Sequence, residues 1–503
     1  MLPDISFTRG TYQLNQEPNF NFQLNRVIQW DGGRLEDIAP VAAGIHSSAD
    51  WKKTLIFLGD EAEQEGRTEN AIAYYRMSEF FMYDGDPDKL AYYQKATAMF
   101  YDYYRDYFES GMVERITVPY EDVELPILHT EPDGPRRGVI LLHGGNDSYL
   151  EEFFFPMLYL AKQGYAVYLF EGPGQGGVVR VQGKKFTYQW EKPVKAVLDA
   201  IGETNVTIMG ASLGGMLAPR AAAFERSRIC RVVGWSVFPN FLYVALYAVP
   251  KSMWGVMRWM IRHNVRGPIN TIMRKKMASE PTVDWAVRHG MYAYDASDPF
   301  GYIKKLDDFK MTDIGPRLTQ DMLVIGASQD HFIAKELYAA ELDALPNVQS
   351  LTYRLMTEKE DAGAHCNVGN PKLVLDTVID WLGAERRRRG GLMLIFTCAV
   401  ALLTAAVSAY SWYRNRDNRE HTRVCLAICV VAGVMAALSG FGAIPESVRR
   451  ENAVYLYISA AAILLDLILV EIRRMCLKKT APGKAVPAML VLGGCMAMCI
   501  ARL

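Results

Sequence analysis

A serine held between glycines, Gly210-Ala211-Ser212-Leu213-Gly214-Gly215, follows directly on the apolar run 205–209 and leaves the chain little choice of local geometry. A buried strand that turns at once into a helix needs small residues two before and two after the apex, because strand and helix come into contact there. The apex residue is forced into a strained backbone conformation, and its side chain projects from the carboxyl edge of the sheet at the amino end of the helix. Such a run also arises by chance as a glycine-rich turn with an idle serine, so its meaning rests on its surroundings.

Those surroundings alternate between strand-like and helix-like patterns. Strands are expected at 115–119, 123–128, 137–142, 165–170, 205–209, 231–236, 321–326 and 350–355. Helices are expected near 151–163, 191–202, 213–225, 332–344 and 371–382. Short apolar strands separated by helices imply an α/β fold, a mainly parallel sheet covered on both faces. The last helix carries its own start signal: Asn370 caps it, Pro371 suits its first position, and Leu375, Val378, Ile379 and Leu382 form one apolar stripe.

Three regions separate by composition: a helical amino-terminal domain at 1–112, the α/β domain at 113–385, and an apolar region at 386–503. In the first, Ala71, Tyr74, Tyr75, Met77, Phe80 and Phe81 fall near helical spacing before the turn Asp84-Gly85-Asp86-Pro87, and a second helix is expected from Asp88 to Phe108. In the second, an insertion at about 240–318 carries Trp254, Met257, Trp259, Met260, Met273 and Met277 and is expected to form a helical lid over the carboxyl edge. A methionine-rich lid suits a bulky apolar substrate; the alternative is that these side chains only pack the insertion onto the sheet.

The third region opens on Arg386–Arg389. Four apolar stretches follow, at about 391–412, 424–444, 453–470 and 485–501, each near the length that crosses a bilayer. Three or four transmembrane helices are therefore expected, with the lipid bilayer as a partner. Flanking positive charge is nearly balanced between the two sides and does not orient them. Only Cys230 and Cys366 precede residue 390, a distribution unlike that of a disulfide-bridged secreted protein. No apolar run follows the amino terminus, so the α/β domain is expected on the cytoplasmic side of an integral membrane protein. A net charge of -1 gives no electrostatic case for nucleic acid.

Serine is a weak nucleophile at neutral pH, so Ser212 needs a base and the base needs an orienting acid. In a parallel sheet of this kind they follow in the order acid then histidine, each at the carboxyl end of a later strand. Asp330 follows the strand 322–326, where the acid belongs, and His365 lies in the loop before the capped final helix, where the base belongs. Asp361 is the alternative acid, and His331 is a lid or wall residue at the start of a helix. The amide of Leu213 is one expected oxyanion donor, and that of Gly145 or Asn146, in the loop His143-Gly144-Gly145-Asn146-Asp147, is the other. His143 is expected to anchor that loop. Glu171-Gly172-Pro173-Gly174-Gln175-Gly176 reads as a turn without the glycine spacing of a nucleotide site, and no metal or cofactor is expected.

With these residues in place the chain resembles the α/β-hydrolases that carry an amino-terminal helical domain, similar to FrsA-like esterases and the dihydroxypseudooxynicotine hydrolase type. The resemblance is carried by Phe22-Gln23-Leu24-Asn25-Arg26, His143-Gly144-Gly145, Gly172-Pro173-Gly174-Gln175-Gly176, Trp190-Glu191, Gly210 to Gly215 with Ala218-Pro219-Arg220, and Ala364-His365-Cys366, and spans roughly residues 15–385. It implies a serine hydrolase whose site lies between helical domain, lid and sheet, acting on a small, apolar molecule. An ester or thioester is the first expected substrate, and a carbon–carbon bond in a diketone-like compound the second. The apolar tail departs from that pattern. A ligand-binding membrane sensor without catalysis is the expectation from another class.

Overall fold

The computed structural model describes residues 1–247 and 249–385. Met1–Trp381 form one compact unit. The four stretches expected to span a bilayer lie outside the described residues. Among the described residues, no helix is long and apolar enough to cross a membrane.

The compact unit is built on one eight-stranded sheet. Its strands are β1 (Glu114–Tyr120), β2 (Val123–Thr130), β3 (Gly138–His143), β4 (Tyr165–Phe170), β5 (Val206–Ala211), β6 (Ile229–Trp235), β7 (Asp321–Ala327) and β8 (Ser350–Met356). Their spatial order is β1-β2-β4-β3-β5-β6-β7-β8. The first two pairings are antiparallel and every other is parallel. All eight expected strands are present, shifted by no more than two residues at any end. Parallel strands covered on both faces must be apolar throughout, and β4, β5 and β7 are buried at every position. The exposed central residues of β8 mark it as an edge.

Six helices precede the sheet: Pro18–Trp30, Leu35–Ala42, Ser48–Gln64, Thr68–Ser78, Pro87–Tyr103 and Arg105–Glu109. The first was not expected from periodicity, yet its start is well specified. Glu17 accepts a hydrogen bond from the Phe20 amide, and Pro18 occupies the first turn. These helices close around Phe20, Trp51, Tyr74, Tyr75 and Phe81, all buried. The helix expected from Asp88 to Phe108 breaks at Tyr104 instead. There the ring packs against Phe100, Phe154 and Phe155 while its hydroxyl donates to Glu69, so tertiary contacts override the local pattern.

The helical region and the sheet share one compact unit, and a buried ion cluster ties them together. Glu79, on the helical side, accepts from Lys89 and from Arg180, each at 2.7 Å, and from the Tyr149 hydroxyl. Burial alone would raise the Glu79 pKa, but the two cations hold it at about 2. Removing one partner of such a buried group leaves a charge uncompensated, at a cost of about 3–5 kcal/mol.

Between β6 and β7 the insertion is helical, with Phe241–Leu246, Trp254–Arg262, Arg266–Ser279, Pro281–Ala293 and Pro299–Leu306. Met257, Met260 and Ile261 turn inward onto the core, whereas Met273 borders the cavity described next. The methionines of the insertion therefore divide between packing and cavity wall.

Candidate functional site

Ser212 sits at the turn from β5 into the helix Gly214–Phe224, with φ +58°, a region L-residues seldom occupy. Its amide donates to the Trp235 carbonyl at 2.8 Å, which holds the strained residue against β6. Gly210 makes the turn possible. A Cβ there would lie 2.0 Å from the Gly214 carbonyl oxygen.

Three expected residues meet at this point. His365 Nε2 lies 2.9 Å from Ser212 Oγ, and its Nδ1 lies 2.7 Å from Asp330 Oδ2. The other Asp330 oxygen accepts the amides of Phe332 and Ile333, both at 2.9 Å. Burial would raise the Asp330 pKa, but His365 and these donors hold it below the usual carboxylate value. Burial would likewise lower that of His365, and the Asp330 charge overcomes it, so the imidazole stands well above its ordinary 6.5. The helix expected to begin at 332 starts only at Glu336, and His331 lies ahead of it.

The loop holding His365 is locked from beneath. The Cys366 amide donates to Ser236 Oγ at 3.0 Å, and Asn367 donates to the Ala362 carbonyl at 2.7 Å while accepting from the Trp235 indole at 2.9 Å. Asp361, the alternative acid, instead pairs with Arg9 at 2.7 Å on the surface. His331 borders the cavity with its ring against Phe22 and Phe332. His143 is fully buried and donates Nδ1–H to the Gly144 carbonyl at 2.9 Å; its burial depresses the pKa to about 4, so the ring is neutral.

Of the expected oxyanion donors, Gly145 has its amide committed to Ser148 Oγ at 2.8 Å. Its lack of a side chain matters more, since a Cβ would stand 2.8 Å from Ser212 Cβ and 2.9 Å from the Leu213 nitrogen. Leu213 and Asn146 border the cavity, and neither amide meets a protein acceptor among the described residues. Gln175, read from sequence only as part of a turn, steadies this loop by donating to the carbonyls of Gly144 and Gly145 at 2.8 and 2.9 Å.

The cavity over Ser212 encloses about 380 Å³. One wall comes from the first helix through Phe22, Arg26 and Trp30, and the roof from insertion residues such as Met273 and Val283. Arg26 is held by Asp147 at 2.8 Å and by Glu152. The resemblance carried by Phe22 to Arg26 pointed to this segment, but not to the role of Arg26, whose partners lie more than a hundred residues away. Among the described residues, no cluster of histidine, cysteine or acidic side chains is arranged to hold a metal ion.

The alpha/beta hydrolase fold family matches residues 138–365. A hydrolase, acrC of Aspergillus aculeatus, is 28% identical over 65% of this chain and 84% of its own length. The hydrolyase poxO of Penicillium oxalicum is 26% identical over 72% of this chain and 96% of its own. Among solved structures, 2,6-dihydroxy-pseudo-oxynicotine hydrolase superposes with a TM-score of 0.51 at 20% identity, covering 71% of this chain and 94% of that one, a likeness of fold. The strand order and the strained serine turn agree with the family match over residues 138–365, so this part of the chain has the α/β-hydrolase fold, and the relatives mark an enzyme of the hydrolase type.

Proposed function

We propose that the chain is a membrane-anchored serine hydrolase that cleaves an ester or thioester of an apolar substrate through an acyl-enzyme. The observation that carries this reading is the continuous path Ser212 Oγ, His365 Nε2, His365 Nδ1, Asp330 Oδ2, with links of 2.9 and 2.7 Å. Ser212 attacks the carbonyl carbon while His365 takes its proton, and Asp330 holds the ring and balances the imidazolium. The amides of Leu213 and Asn146 receive the oxyanion, and His365 returns the proton to the leaving oxygen or sulfur. Water then repeats the sequence on the acyl-enzyme and frees Ser212. The aromatic and aliphatic character of the cavity supports an apolar acyl or alcohol portion.

A fluorophosphonate probe tests the chemistry. Labelling is expected in the native chain and in Ser328→Ala, and its loss in Ser212→Ala. A folded native chain that takes no label would refute catalysis through Ser212 and favour a ligand-binding role. The four apolar stretches after Arg386–Arg389 support the anchoring. An alkaline carbonate wash that releases the chain from membranes would refute it.

A further inference from the structure

The insertion presents its apolar and cationic side chains on an outward face as well as an inward one. Helix Trp254–Arg262 buries Met257, Met260 and Ile261, yet leaves Val256 53% and Trp259 56% exposed, and Met253 just before it 40% exposed. Indole and aliphatic surface of this size is seldom left in water without use. The charge around it is equally one-sided. From Lys251 to Ser279 the sequence has seven lysines and arginines and no aspartate or glutamate, in a chain whose net charge is -1. Lys251, Arg258, Arg262, Arg274 and Lys275 are exposed, and none of them forms a close ion pair among the described residues, Arg274 acting on Asp298 only from farther off. Arg266 and Lys276 do reach acids from neighbouring segments, Asp298 at 3.4 Å and Glu280 at 2.9 Å.

We propose that the outer face of helix Trp254–Arg262, with the basic residues of the following helix Arg266–Ser279, docks on the surface of an anionic lipid bilayer. An indole flanked by arginines and aliphatic side chains matches the interface between headgroups and acyl chains, where an amphipathic ring sits with its body in hydrocarbon and its N–H among polar groups. Lysines and arginines near an anionic leaflet each strengthen binding by about fivefold. A nucleic acid would use the cations but has no place for Val256 and Met253. An acidic protein would need a partner for a patch centred on one tryptophan. A bilayer uses both components. The same insertion roofs the cavity through Met273 and Val283, so docking brings the cavity roof to the lipid surface. This contact is separate from the carboxyl-terminal stretches and stands whether or not they span.

The full chain is mixed with vesicles of phosphatidylcholine alone, and of phosphatidylcholine with phosphatidylserine, both carrying brominated acyl chains. Tryptophan quenching is recorded for the native chain and for Trp259→Phe. The expected result is a quenched component that needs phosphatidylserine, fades with salt, and is missing from Trp259→Phe. Arg258→Glu with Arg262→Glu should weaken it by at least tenfold, while circular dichroism reports the fold of each variant. If the carboxyl-terminal stretches insert, the protein enters both vesicle types and the Trp259 component still appears only with the anionic lipid. Equal quenching in native chain and Trp259→Phe, or a Trp259 component indifferent to lipid charge, overturns the proposal. So does a Trp259 that lipid never quenches, as when the carboxyl-terminal region or a second copy covers it.

Discussion

His289, on the insertion helix Pro281–Ala293, donates its Nε2–H to the main-chain oxygen of Asn146 at 3.0 Å. A second tie lies beside it, from the Tyr294 hydroxyl to Asn146 Oδ1 at 2.8 Å. The insertion and the loop 143–147 are thereby clasped, and Asn146, whose amide is proposed as an oxyanion donor, is held by the insertion that roofs the cavity. Tyr294→Phe removes one tie and leaves an acceptor unpaired, a local penalty of about 1–3 kcal/mol. The expected outcome is a fall in kcat of about tenfold with a smaller change in KM, and a larger fall when combined with His289→Ala. Steady-state kinetics on a chromogenic ester checks this; a change confined to KM would place the clasp in substrate binding alone.

Asp330→Asn tests the orienting acid through hydrogen-bond geometry. The Phe332 and Ile333 amides need an acceptor, so the asparagine oxygen stays with them and its NH2 turns toward His365 Nδ1. That donor forces Nδ1 to accept, which leaves Nε2 protonated and facing Ser212, the wrong tautomer for a base. By analogy with other triads, kcat is expected to drop about 10^3- to 10^4-fold in a folded protein. The pH profile should also move. His365 acts as a base only when neutral and stands well above 6.5 because of Asp330, so the acid limb of kcat/KM should shift to lower pH in the variant.

The meeting of Ser212, Asp330 and His365 was legible in sequence because the turn signals of a parallel sheet are local. Each member follows a recognisable strand, and the small residues around Ser212 are required by contacts within a few residues of it. The helical wall of the cavity was indicated only by the resemblance carried by Phe22 to Arg26, and periodicity did not show it, for the opposite reason. Phe22, Arg26 and Trp30 line the site from a helix whose cap is Glu17 and whose charged partners are Asp147 and Glu152, a pairing that no periodicity encodes. Tyr104 shows the same limit, since its break depends on rings from Phe154 and Phe155.

Gln175 carries the next prediction. Its side-chain nitrogen bridges the carbonyls of Gly144 and Gly145, and its oxygen accepts the Gly172 amide at 2.9 Å, so the buried amide holds two loops at a fixed separation. Gln175→Glu would set a carboxylate against two carbonyl oxygens. The expected effect is a fall in kcat of at least tenfold, greater for Gln175→Glu than for Gln175→Leu, with fluorophosphonate labelling slowed in the same order. Equal losses in the two variants would point to packing alone.

Stability should respond to pH from both sides, through groups that the fold buries without a matched charge. Burial depresses His143 and His289 from 6.5 to about 4. Between those values the unfolded chain binds protons that the folded chain refuses, so their contribution is complete above 6.5 and lost as pH falls through about 4. Glu341 has the opposite sign. It is fully buried, neither carboxyl oxygen meets a donor among the described residues, and burial raises it from 4.5 to about 8. The folded state therefore holds a proton that the unfolded state releases, and the benefit present below 4.5 disappears as pH rises through about 8. Glu341→Gln should flatten the alkaline side of a plot of Tm against pH, and His289→Gln the acid side, each leaving the other side in place. A Glu341→Gln curve parallel to that of the native chain between pH 5 and 9 would show that this carboxyl is not the buried proton carrier that its surroundings require.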